Sequence, residues 1–106
     1  MEKLLGYNMS VWSWEYDSHF KEIFIYKNKT GYRVLITDTY TKSGLGVGEE
    51  YRVIDDFQCR RIDIAQIRSL MKRNGFNRTR SSFPFNRYWT DENGNKKTLN
   101  EILKKR

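Results

Sequence analysis

The residues of this chain best equipped for chemistry are its arginines and lysines, and they cluster. Arg60, Arg61, Arg68, Lys72, Arg73, Arg78 and Arg80 fall within one short stretch, with Arg87 a little further on. Guanidinium and ammonium groups at this density neutralise phosphates. From residue 76 to 89 they alternate with Ser, Thr and Asn, which hydrogen-bond to phosphates or base edges. Phe83, Tyr88 and Trp89 lie among them and offer flat rings for stacking on bases. The pattern points to nucleic acid, DNA or RNA. Its candidate phosphate contacts are Arg60, Arg61, Arg68, Lys72, Arg73, Arg78, Arg80 and Arg87, and its candidate base contacts are Phe83, Tyr88 and Trp89.

The charge of the whole chain supports that expectation through its asymmetry. The net charge is +7 over 106 residues. Residues 1–60 hold eight Lys/Arg against nine Asp/Glu, whereas residues 61–106 hold twelve against four. A cationic second half suits a polyanionic partner. The plain alternative is a solvated basic surface that keeps the protein in solution.

Other chemistries have thinner support. His19 is the single histidine, so a nuclease or any other His-dependent enzyme rests on it alone. Asp17 and Ser18 stand beside it, but sequence neighbours do not make a triad. Cys59 is the one cysteine, which excludes an intrachain disulfide and a Cys-based zinc site. The cations after it could lower its thiol pKa, and burial between strand and helix would raise it. Residues 43–48 have the G-x-G spacing of a phosphate loop, but no helix signal follows and no Lys-Ser/Thr. They read as a hairpin loop. Asp55 and Asp56, adjacent on a strand, point to opposite faces and cannot clamp a metal together. No cofactor and no metal are expected.

Elements that position these residues can be read from periodicity. Asp63 and Gln66 form a capping box for a helix over 64–74. Ile64, Ile67, Leu70 and Met71 give it one apolar face, while Arg68, Lys72 and Arg73 lie mainly off that face. Gly75 and Phe76 supply a Schellman stop, with Phe76 packing back on Met71. Before it, residues 7–16 alternate with one slip after Val11, which fits a bulged core-lining edge strand bearing Trp12, Trp14 and Tyr16. Residues 20–27, 31–41 and 50–58 read as three further strands, the first two joined by a turn at 28–31. Tyr51, Val53 and Phe57 are expected on one face. Asn93-Gly94 suggests a type I′ hairpin between strands 86–90 and 96–99. Thr98 and Glu101 then cap a short terminal helix carrying Leu99, Ile102 and Leu103.

The sequence therefore predicts one α+β domain over residues 1–106. It is a small antiparallel sheet of three to five strands with one central amphipathic helix and a short C-terminal helix. With neither an apolar run of spanning length nor a signal-peptide pattern, the expected location is cytoplasmic, away from membranes. The abundance of Lys, Asn, Ile and Tyr is what AT-rich codons give, and suggests a low-GC bacterium, its phages or its mobile elements. The leading functional expectation is a small non-enzymatic nucleic-acid-binding protein. The alternative is a phage or mobile-element module that inhibits a host nucleoprotein machine, for example of the anti-CRISPR type, by binding a nucleic-acid-binding host protein. Nothing specifies the oligomeric state.

Overall fold

A computed structural model of the chain describes residues 2–13, 17–42, 48–74, 76 and 89–104, with the backbone alone at 10–13, 17, 18, 42, 48 and 49. The elements are β1 (Lys3–Ser13), β2 (Asp17–Asn28), β3 (Gly31–Lys42), β4 (Gly48–Cys59), α1 (Ile64–Arg73), β5 (Trp89–Asp91), β6 (Lys96–Lys97) and α2 (Leu99–Lys104). The strands form one sheet in the order β4-β3-β2-β1-β5-β6, antiparallel throughout. Antiparallel sheet plus helix is as expected. The strand count is six rather than three to five, and the sheet dominates two short helices.

β2 and β3 form the middle of the sheet. Ile23 and Ile25 lie directly opposite Ile36 and Val34 and all four are fully buried. β-branched side chains in cross-strand pairs stabilise a pleated surface well. Ile67, Leu70, Met71 and Phe76 cover this face from the α1 side, and Trp89, Leu99 and Ile102 complete the same cluster. The other face carries Tyr7, Phe24 and Tyr26, with ring centroids 5.8 and 6.3 Å apart along the row.

Two bulges correct the expected registers. β1 slips at Leu5, between Leu4 and Gly6, while Val11, Trp12 and Ser13 pair with β2 without interruption. The slip expected after Val11 is therefore absent. β1 is also not an edge, since Gly6 and Tyr7 pair with β5. The side chains of Trp12, Trp14 and Tyr16 lie outside the described residues. In β4 the extra residue is Ile54, because Ile36 faces Asp55 while Thr37 faces Val53. An extra residue flips the alternation beyond it. Tyr51 and Val53 thus stand on one face and Phe57 on the other, not together.

The turns obey their side-chain chemistry. Glu92, Asn93 and Gly94 form a three-residue hairpin loop between Asp91 and Asn95, closed by Gly94 N to Asp91 O at 3.0 Å and Asp91 N to Asn95 O at 2.9 Å. Gly94 takes φ +82° while Asn93 has no positive φ, so the turn is not type I′. Asp91 Oδ1 decides this by accepting from the amides of Asn93 and Asn95, both at 2.9 Å. Thr98 and Glu101 form the expected capping box of α2. No helix among the described residues is long and apolar enough to cross a membrane.

Gly31 ties the sheet to the segment between β4 and α1. Its φ is +139°, and a Cβ there would lie 2.3 Å from the carbonyl oxygen of Cys59 and 2.8 Å from Cα of Arg60. The β2–β3 turn is thus pressed against the backbone entering α1. Gly31→Ala is expected to cost about 2 kcal/mol or more, from an unfavourable φ and a backbone clash together. A urea titration of the variant should show a clearly lowered midpoint; an unchanged midpoint would contradict this packing.

Candidate nucleic-acid interface

α1 is the scaffold of the site. Both parts of the expected capping box form: Asp63 Oδ1 accepts from Gln66 N at 2.8 Å, and Gln66 Oε1 accepts from Asp63 N at 3.0 Å. At the other end Phe76 N donates to Met71 O at 2.9 Å, the six-to-one bond of a Schellman stop, and Phe76 is fully buried. Gly75 lies outside the described residues. Asn74, at the helix cap, offers its carbonyl to Lys21 Nζ at 2.7 Å.

The buried stripe fixes how the helix is rotated. Ile67, Leu70 and Met71 face the sheet. Helical residues advance by about 100° each, so Arg68 and Lys72, four apart, stand together on one flank. Gln66 and Arg73 stand on the other. Arg60 and Arg61 lie in the segment leading into the helix. All five cations are exposed. None of the five forms an ion pair with an acid among the described residues.

Several of the acids are occupied elsewhere. Arg33 grips both oxygens of Asp56, at 2.7 and 2.8 Å, and reaches Glu2 at 2.9 Å. That bidentate bond holds the Asp56 carboxyl below its usual range. Arg52 binds Asp38 at 3.2 Å, and Lys3 binds Glu92 at 3.2 Å. Asp63 and Glu101 cap helices. Lys72 and Arg73 occupy the last turn of α1, where the helix dipole is negative and favours cations without needing a carboxylate.

The structure brings together only some of the candidates. Arg60, Arg61, Arg68, Lys72 and Arg73 surround α1. Arg78, Arg80, Arg87, Phe83 and Tyr88 lie outside the described residues. Trp89 is a correction. It sits in β5 with 2% of its surface exposed, inside the core cluster, and cannot stack on a base. Its place on a strand next to β1 and beneath α2 explains why: a large aromatic there is worth more as packing.

One constellation escaped sequence reasoning. His19 Nε2 meets Asp38 Oδ1 across the β2–β3 ladder, and Arg52 reaches the same carboxylate from β4. Tyr40 sets its ring edge-on to His19, with centroids 5.9 Å apart. These groups, with Glu50 and Tyr51, line a cavity of about 420 Å³. The signal was Asp38, an acid interrupting the apolar face of β3; a buried carboxylate must find partners. Asp38 is shared between a histidine and an arginine, so it is compensated as a structural ion pair requires. Among the described residues no group of three or more His, Cys, Asp and Glu side chains is placed to hold a metal ion.

The chain matches no protein-family profile, no curated protein and no solved structure.

Cys59 resolves toward burial. It is partly covered at the end of β4, and desolvation pushes its thiol up despite Arg60 and Arg61 next door. Its alkylation by iodoacetamide should keep accelerating well beyond pH values near the free thiol pKa of about 8.5. A plateau near neutral pH would show that the arginines govern it instead.

Proposed function

We propose that this protein binds nucleic acid through the phosphate backbone, with the cations around α1 as the primary contact. One observation carries the reading: five exposed cations over residues 60–73 face solvent without acidic partners among the described residues, while Arg33, Arg52 and Lys3 take up acids elsewhere. A helix of ten residues is about 15 Å long. Over that length a duplex presents roughly nine charges, enough to engage every one of these groups. Arg68 and Lys72 point the same way and form the centre. Arg78, Arg80 and Arg87, with Phe83 and Tyr88, extend the proposed contact along the chain. The binding is non-enzymatic and reads charge rather than sequence, since most of it goes to phosphates.

A protein partner is the second reading. The exposed Tyr51, Val53 and Ile54 favour it, because apolar groups gathered on one strand suit a protein surface. A module that inhibits a host nucleoprotein machine, of the anti-CRISPR type, would use the same cations to cover a nucleic-acid-guiding surface. Protein purified at low salt with a raised 260/280 nm absorbance ratio supports the first reading. Clean protein that retains a host polypeptide supports the second.

Fluorescence anisotropy with labelled duplex and single-stranded oligonucleotides tests the proposal. Five neutralised phosphates give a slope of log affinity against log salt of about −4.5 on duplex. Arg68→Glu combined with Lys72→Glu should reduce the steepness by about two and weaken binding alike on unrelated sequences. Binding unchanged by that pair would overturn the assignment.

A further inference from the structure

We propose that the trough between the free edge of β4 and α1 binds an extended basic segment of a partner protein, which adds to the sheet as a further strand. β4 ends the sheet and pairs with β3 alone among the described strands. A strand edge leaves every second residue's backbone N–H and C=O pointing outward and unpaired. β4 runs for twelve residues, twice the usual length of about six. Residues 50–58 are all exposed. Short strands, proline and charged side chains normally blunt such an edge; β4 is long and free of proline, and carries the Ile54 bulge and the charges of Glu50, Arg52, Asp55 and Asp56.

That bulge leaves residues 55–59 as an uninterrupted run, and the trough lies beside it. Its volume is about 440 Å³, and Phe57, Cys59, Ile62, Ile67 and Leu70 give it an apolar floor. Gln66, Ser69 and Arg73 form the helix wall. An added strand would sit about 4.8 Å from β4 and turn alternate side chains to each face. Phe57 and Cys59 share the helix-covered face with Val34 and Tyr32, their partners on β3. Every second side chain of the incoming segment would therefore enter the trough, while its backbone pairs with the edge.

Charge selects the occupant. Glu50 and Asp55 lie along the edge without a cation among the described residues, and Asp63 stands at the trough. Asp56 is held by Arg33 and Arg52 by Asp38, which leaves Arg73 as the one cation among the described residues that lines the trough, against Glu50, Asp55 and Asp63. A segment with apolar residues at alternate positions, flanked by Lys or Arg, complements this. A second copy suits it less well, because it would bring two edges of the same net negative charge together. The trough uses the Gln66–Arg73 side of α1, whereas Arg68 and Lys72 occupy the other flank. Arg73 borders both surfaces, so Arg68 and Asp55, each belonging to one of them, are the positions that test them apart.

The test is selection of phage-displayed random nine-residue peptides on the nuclease-treated full chain, followed by anisotropy with the enriched peptides. The expected motif alternates apolar residues and carries flanking Lys or Arg. Ser69→Trp, which fills the trough, and Asp55→Lys should each weaken binding at least tenfold with the circular dichroism unchanged. N-methylation of alternate peptide amides should do the same, and Arg68→Glu should leave the affinity as it was. No enrichment, a motif without basic residues, or affinity indifferent to N-methylation would overturn the proposal. So would a dimer in sedimentation that Phe57→Lys dissolves, which would give the edge to a second copy.

Discussion

The seating of α1 on the sheet is the constraint that sets the rest of the surface. A helix of ten residues is marginal by itself. Ile67, Leu70 and Met71 are buried against the isoleucines and valine of β2 and β3, each contributing about 1.5–3 kcal/mol. The Asp63–Gln66 box fixes where it starts, and the Lys21 bond to Asn74 fixes where it stops over the sheet. With rotation and both ends set, Arg68 and Lys72 have one direction available, outward and away from β4. Movement of the helix by a single residue would turn these cations toward the apolar face and bury their charge, which is unfavourable.

Ionic pairing divides the molecule. On the open face, Arg33 links Asp56 to Glu2 and also lies over the Tyr26 ring at 5.6 Å. On the covered face, Asp38 is satisfied by His19 and Arg52. These pairs engage both arginines of β3 and β4 with acids of the first half of the chain. The cations after β4 have no such counterparts among the described residues, and on α1 the helix dipole favours Lys72 and Arg73 alone. The result is an uneven surface potential that steers a polyanion to one side. β4, with its carboxylates and apolar residues, presents a surface of the opposite character a short distance away.

How far the sequence revealed this depends on whether a feature is local. Capping boxes are local, so Asp63, Gln66, Thr98 and Glu101 announced both helices correctly. Alternation is nearly local, so β2, β3 and β4 were legible in position and extent. Bulges are not, because Leu5 and Ile54 become extra residues only through the register of a neighbouring strand. The same holds for Asp38, whose partners lie 19 residues before it and 14 after it. The turn at Asn93-Gly94 was misread because the carboxylate of Asp91 outweighs the dipeptide's preference. Trp89 was assigned to bases because charge and aromatic pattern describe composition; burial is decided by what α2 covers. The basic character of residues 60–73 was legible from the start. That its cations stand clear of acids was not, since ion pairing is set by tertiary contact.

The most direct measurement is an NMR titration of the labelled protein with a short duplex at low salt, tracking backbone amides and arginine side-chain resonances. The account predicts that Arg60, Arg61 and residues 64–73 shift and saturate together, with Arg68 among the largest changes and with shifts that collapse as salt is raised. Changes confined to the Tyr7–Phe24–Tyr26 face or to the β4 edge, with α1 unmoved, would contradict it.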